Sequence, residues 1–257
     1  NEDNEIFATI AAFPVQMIAL EHCDGTLEQL LLDQETISDE GLGCMVMQVL
    51  MTLITYQHMF GLTHNDLHTS NIMYVKTDVP FLYYKVNHVY YRVPTYGYIF
   101  KIIDFGRAIY KFRGQIMCSE SFDKTGDAYG QYNTEPFYKP TKPRIDPNPS
   151  FDLCRLACSM LDLFMDDISD LPNITSPIQK IIVNWCNDDK GRNVLYKRDG
   201  EERYPDFKLY KMIARTVHGH VPREVLTNPY FDRYIIKKQE AQAPLLDIDG
   251  LPNYQEK

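Results

Sequence analysis

Two short stretches carry the residues able to do chemistry: His64-Asn65-Asp66-Leu67-His68-Thr69-Ser70-Asn71 and, downstream, Ile102-Ile103-Asp104-Phe105-Gly106. They place Asp66, Asn71 and Asp104 each on a turn beside an apolar run. A carboxylate can orient a hydroxyl and accept its proton, and amide and carboxylate oxygens suit a hard divalent cation such as magnesium. Phosphoryl transfer from a magnesium nucleotide needs that combination. Each residue alone has a plainer reading, Asp66 and Asp104 as turn formers and Asn71 as a strand-end cap, because Asp and Asn bond readily to nearby backbone. The ordered set is far more specific than any member. His64 and His68 stand four apart and could pass for a zinc pair, which requires one helix face and a third ligand. The intervening Asn65-Asp66 and the preceding Gly61 instead predict a loop, with His64 bracing it through its ring nitrogens.

The elements that must position these residues follow from local signals. The apolar runs Ile6 to Phe13 and Val15 to Leu20 flank Pro14 and are short enough for buried strands. Thr26 is a cap for a short helix through Leu32. Ser38, followed by Asp39 and Glu40, opens a long helix that ends at Gly61. Leu42, Met45, Val46, Val49, Leu50, Leu53 and Ile54 give it one wide buried face. Strands are expected at Ile72 to Val75 and Tyr98 to Ile103. Residues 76–97 between them read as an inserted β-hairpin turning at Asn87-His88. Residues 107–149, rich in Gly, Pro and polar aromatics, are too long for a plain connector and read as a functional or partly mobile segment. Ser150 is placed to cap a helix through Phe164. Further helices are expected over 176–187, 206–217 and 222–236, with an irregular tail after Ala243.

Composition bounds the rest. The chain has 257 residues, 44% of them hydrophobic, enough for a substantial core. A net charge of −9 with no basic run argues against general nucleic-acid binding. Six cysteines form no CxxC pair, so reduced and mostly buried thiols are expected, with an intracellular, cytoplasmic location. The acidic start, Asn1 to Glu5, lacks a signal-peptide pattern, and no apolar run reaches membrane-spanning length.

The HxDLHxxN loop followed by Asp-Phe-Gly resembles the catalytic and metal-binding loops of the protein kinase family over roughly residues 6–236. The resemblance implies an α+β, protein-kinase-like fold: a mainly α-helical large lobe over 25–257 with an inserted β-hairpin, and an incomplete small lobe over 1–24. Residues 107–149 would form the activation-segment region. It implies ATP- and Mg2+-dependent phosphoryl transfer to Ser/Thr of protein substrates, with Asp66 as base, His68 near the transferred phosphoryl group, and Asn71 and Asp104 as magnesium ligands. Glu21-His22-Cys23 would be the hinge, binding adenine through the backbone of Glu21 and Cys23. Leu20 would guard the back of the nucleotide pocket, Met73 would form its floor, and Ile103 would lie beside the metal loop. Leu20, Met73 and Ile103 are equally readable as ordinary core. Asp152 matches the aspartate that ties the catalytic-loop backbone to the core, or is simply a first-turn acid.

Departures from the family are as informative. Asn65 replaces the Arg that normally pairs with a phosphorylated activation segment, and His68 replaces the usual Lys. The loop is also similar to that of haspin-like kinases and of aminoglycoside and choline phosphotransferases, while the intact Asp-Phe-Gly favours a protein kinase. No Ala-Pro-Glu follows. The hairpin and the run from Trp185 to Arg192 give a likeness to kinases of large DNA viruses. No glycine precedes Gly25 and no lysine precedes Lys76, so a Gly-rich loop and the phosphate-binding lysine are missing. A fragment of a longer kinase, a small-molecule kinase, or a pseudokinase or structural subunit remain as readings. A partner chain would cover the incomplete small-lobe surface.

Overall fold

A computed structural model describes residues 9–15, 17–33, 37–165 and 167–256. Strand β1 (Gly25–Thr26) leads directly into helix α1 (Leu27–Leu32). Thr26 caps that helix reciprocally: its hydroxyl accepts from Gln29 N at 3.2 Å, while the Gln29 side chain accepts from Thr26 N at 3.1 Å. Helix α2 (Asp39–Phe60) starts where Ser38 Oγ accepts from Gly41 N at 3.1 Å. It stops at Gly61, which adopts φ 55° and donates to Gln57 O at 2.9 Å. Sequence periodicity predicts one wide apolar face, but the helix is buried all round from Gly41 to Met51. Strands pack on one side of it and helices on others, so this half of α2 is the central strut of the core. Gly43 permits the closest approach, since a Cβ there would lie 2.2 Å from the Tyr230 hydroxyl.

Strands β2 (Ile72–Lys76), β3 (Phe81–Val86), β4 (Val89–Pro94) and β5 (Tyr98–Ile102) follow. β1, β2 and β5 form one antiparallel sheet in the order β1-β2-β5, with Ile72 opposite Ile102. The open edge of β5 is met by a buried glutamine of α2. Gln48 Oε1 accepts from Phe100 N at 3.0 Å and its Nε2 donates to Tyr98 O at 3.1 Å, as a neighbouring strand would. β3 and β4 are the inserted hairpin. Asn87 and His88 both take positive φ, 51° and 64°, the geometry that a two-residue type I′ turn demands.

The region 107–149 is more ordered than its composition suggests. It carries a small hairpin, β6 (Tyr110–Phe112) with β7 (Gln115–Met117), and a separate cluster of buried Ile109, Phe122 and Ala128. Helices α3 (Phe151–Leu161), α4 (Pro177–Trp185) and α5 (Lys208–Thr216) complete the helical layer. Ser150 precedes α3 but does not cap it; its hydroxyl accepts from His220 N at 3.1 Å instead.

Two expectations fail near the C-terminus. The segment 222–236 is not one helix but α6 (Pro222–Val225), a 3-10 turn over Pro229–Tyr234 and strand β8 (Ile235–Ile236). The Asn228-Pro229 step disfavours helical continuation, and the β-branched pair then finds an edge of β4. The tail after Ala243 is not irregular either: β9 (Leu245–Asp247) runs parallel to β3, giving a sheet ordered β8-β4-β3-β9. Each edge of the hairpin is thus partly covered, Tyr90 and Tyr91 by β8 and Tyr83 to Lys85 by β9, which shortens the length open to stray pairing.

The chain's N-terminal part also departs from expectation. Residues 1–8 and Gln16 lie outside the described residues; residues 9–15 and 17–20 form no strand. Ile10, Phe13, Val15, Met17, Ile18 and Leu20 are exposed. An apolar run becomes a strand only against a neighbouring edge, and no described strand pairs with this one. The architecture is mixed α+β, and no described helix is long and apolar enough to cross a membrane.

Candidate active site

The antiparallel pairing of β2 and β5 joins the two motif stretches. Asn71 immediately precedes β2 and Asp104 closely follows β5, and Ile103 N donates to Asn71 O at 3.0 Å. The Asn71 amide nitrogen donates to Asp66 O at 2.9 Å, which fixes the side chain's orientation. Its Oδ1 has no protein donor among the described residues. Asp104 is exposed, takes φ 61°, and accepts from Gly106 N at 3.2 Å. Asn71 and Asp104 therefore offer hard oxygen donors at one end of the sheet.

The loop between Gly61 and Asn71 is held from beneath. Buried Asp152, in the first turn of α3, accepts from His64 N and Asn65 N, both at 2.9 Å. Burial raises its carboxyl pKa, opposed by His64 and by these backbone donors. His64 uses both ring nitrogens: Nδ1 accepts from Asp66 N at 3.3 Å, so Nε2 carries the proton and donates to Ile103 O at 2.8 Å. That ring is a brace between the two loops, and it has no nitrogen left for zinc. Thr63 and Ile109 exchange backbone bonds of 2.9 and 3.0 Å, adding a third tie.

Asp66 itself is engaged by residues that sequence reading did not assign to it. Tyr210, on α5, donates its hydroxyl to Oδ1 at 2.6 Å, and Arg107 Nη1 lies 3.2 Å from Oδ2. Arg107 also pairs with Asp127 and lies over the rings of Phe207 and Tyr210. Nothing local in the sequence links Tyr210 to a loop 144 positions away. His68 is half-buried, and burial first, then Arg155, lowers its pKa, favouring the neutral ring.

Asn65 joins the loop to the downstream segment. It takes φ 67°, its amide donates to Arg107 O at 2.9 Å and Thr63 O at 3.1 Å, and its oxygen accepts from the Tyr132 hydroxyl at 2.6 Å.

The residues read as nucleotide-binding are spread along the same sheet. Met73, half-buried in β2, stands opposite Lys101 and Thr26. Glu21 is exposed and pairs with Lys101; Cys23 is half-buried, its thiol 3.9 Å from Glu21 O. Ile103 has both backbone groups bonded, to Asn71 and to His64. Leu20 stands apart, 80% exposed.

No protein-family model matches the chain, and a search of curated proteins finds no match.

Proposed function

We propose that the chain carries the phosphoryl-transfer centre of a protein-kinase-like enzyme, acting on Ser/Thr hydroxyls of protein with ATP and Mg2+. The single observation that supports this reading is the hydrogen-bonded frame of Asp66, Asn71, His64 and Ile103, which ties the loop carrying Asp66 and Asn71 to the strand end that leads into Asp104. Asp66 orients the acceptor hydroxyl and takes its proton, with Tyr210 fixing the carboxylate. The donor set suits magnesium: the bond from the Asn71 amide nitrogen to Asp66 O fixes the amide orientation and leaves its oxygen without a protein donor among the described residues, and Asp104 is an exposed carboxylate. A cation held there would neutralise phosphate charge. Backbone groups of Glu21 and Cys23, with Met73 and Ile103, make up the adenine side of this reading; Leu20, 80% exposed, does not close the back of a pocket. His68, kept neutral by burial, stands near the transferred group as a hydrogen-bonding residue.

A second reading, a pseudokinase with a binding role, is favoured by one observation: the Asp66 carboxylate is already engaged by Arg107 and Tyr210. Transfer of labelled γ-phosphate from Mg-ATP to serine-containing protein, with Asp66→Asn as control, separates the two. Label in phosphoserine that vanishes in the variant supports the enzyme; label unaffected by Asp66→Asn contradicts the assignment of the base.

A further inference from the structure

A cavity of about 540 Å3 opens in the segment downstream of Asp104, lined by Lys124, Lys139, Lys142 and Arg215 with Tyr129 and Tyr138 among its walls. Its charge runs against that of the molecule. The chain has 26 Lys and Arg against 35 Asp and Glu, yet Asp123 is the one acid lining this cavity. None of the three lysines forms an ion pair among the described residues; the Lys139 ammonium donates to the Tyr129 hydroxyl at 3.0 Å. That bond, and then the charges of Lys139, Lys142 and Lys124, pull the Tyr129 pKa down, so all three ammonium groups act on one point.

The arrangement is preset. Buried Asn133 donates its amide to the carbonyls of Lys139, Lys142 and Pro143 at 3.1, 3.1 and 2.9 Å, and its oxygen accepts from Lys139 N at 2.9 Å. One side chain thereby folds the 139–143 loop so that Lys139 and Lys142 face the same space. On the opposite side Arg215 donates to Gln131 O at 3.1 Å and Gly130 O at 2.9 Å, fixing its charge at the wall. Cations held in place before a ligand arrives lose little entropy on binding. Tyr132 also lines the cavity, and its hydroxyl bonds Asn65, the residue next to Asp66.

We propose that this cavity is a docking subsite for an anionic side chain of a protein substrate, so that the site selects acidic peptides. The proposal rests on the phosphoryl-transfer reading for the word substrate, but recognition itself needs no catalysis. The shared chemistry is a carboxylate or phosphate group seated among lysines, with a peptide chain lying on the tyrosine faces. Asp127, paired to Arg107 at the rim of the catalytic loop, places negative charge outside the cavity and leaves its cations unneutralised.

The test is fluorescence anisotropy without nucleotide, using the chain and a labelled serine peptide with a run of glutamates after the serine. The same peptide with glutamines, a phosphoserine version and an oligothymidylate are the comparison probes. The glutamate or phosphoserine peptide should bind, the glutamine peptide should not, and combined Lys124→Ala, Lys139→Ala and Lys142→Ala should weaken binding about tenfold or more, with unchanged melting. Preference for the phosphoserine peptide alone identifies a priming phosphate as the anion; preference for glutamate identifies a carboxylate. Equal binding of the glutamine peptide, full retention in the lysine variant, or preferential binding of the oligothymidylate overturns the proposal. Because no phosphate is transferred, an inactive Asp66 would leave this outcome untouched. Conversely, active transfer with no acidic preference would sink the subsite and spare the centre.

Discussion

Arg107 Nη1 stands 3.2 Å from Asp66 Oδ2, so the carboxylate read as a base is paired with the residue that directly follows the Asp-Phe-Gly turn. The pair is tied to the downstream segment through Asp127 and to α5 through Tyr210. An acceptor hydroxyl must share Asp66 with these donors, and the chemistry depends on how they hold it.

Asp66→Asn is expected to reduce turnover by orders of magnitude in whatever form of the protein is active, because the amide cannot take the proton. Tyr210→Phe removes one bond to the same carboxylate and should lower kcat roughly tenfold, with the KM for ATP nearly unchanged. Steady-state kinetics on both variants checks this. A Tyr210→Phe effect confined to the KM for ATP would refute the positioning role.

Asn65 bears on regulation. Where the protein kinase family keeps an arginine for a phosphorylated segment, this chain has a neutral amide already bonded to Tyr132 and to Arg107 O. The segment is held without phosphate, so phosphatase treatment should leave activity unchanged. Tyr132→Phe should cost about 1 kcal/mol, since it leaves the buried Asn65 oxygen only a long bond of 3.5 Å from Gln131 Nε2. Thermal melts and activity before and after phosphatase decide the matter; a large loss on dephosphorylation would show that a cation such as Arg107 or Arg113 pairs with a phosphate.

Asp152 is the structural anchor of the loop. Asp152→Asn replaces one of two acceptor oxygens with a donor facing a backbone N–H, and should destabilise the fold by about 2–3 kcal/mol. That corresponds to a melting shift of roughly 4–12 °C for a domain of this size. Calorimetry on the variant provides the number, and an unchanged melting temperature would mean that the His64 and Asn65 backbone bonds contribute nothing net.

His68 sets a pH dependence. Its folded pKa lies below the ordinary value of 6.5, because burial and Arg155 disfavour the charged ring. As pH falls through 6.5 the unfolded chain takes up the proton more readily than the folded one, so stability declines in that window and is fully present above it. His68→Gln should flatten the difference between melts at about pH 7.5 and about pH 5.5. An equally steep decline in the variant would place the effect elsewhere.

The sequence was most informative where the signal is local. Ser38 and Gly61 mark the ends of α2 because capping geometry depends on adjacent backbone, and Asn87-His88 marks its turn for the same reason. The loop positions of Asp66, Asn71 and Asp104 were legible from motif order. What escaped was non-local: Leu245 pairing with β3, Ile235 with β4, and Tyr210 reaching Asp66 all join residues far apart in the chain. Ile10 to Leu20 shows the converse, an apolar run whose strand character needs an edge that no described strand supplies.

The most direct measurement of the central claim is isothermal titration of Mg-ATP into the chain and its Asp66→Asn and Asp104→Asn variants, with and without magnesium. The chain lacks a Gly-rich loop before Gly25 and a lysine before Lys76, so binding should be weak but magnesium-dependent. Asp104→Asn should weaken the magnesium-dependent binding by removing a charged ligand, while Asp66→Asn, which acts on the acceptor hydroxyl, should bind like the parent. Binding that is indifferent to magnesium, or identical in the parent and Asp104→Asn, would contradict the account.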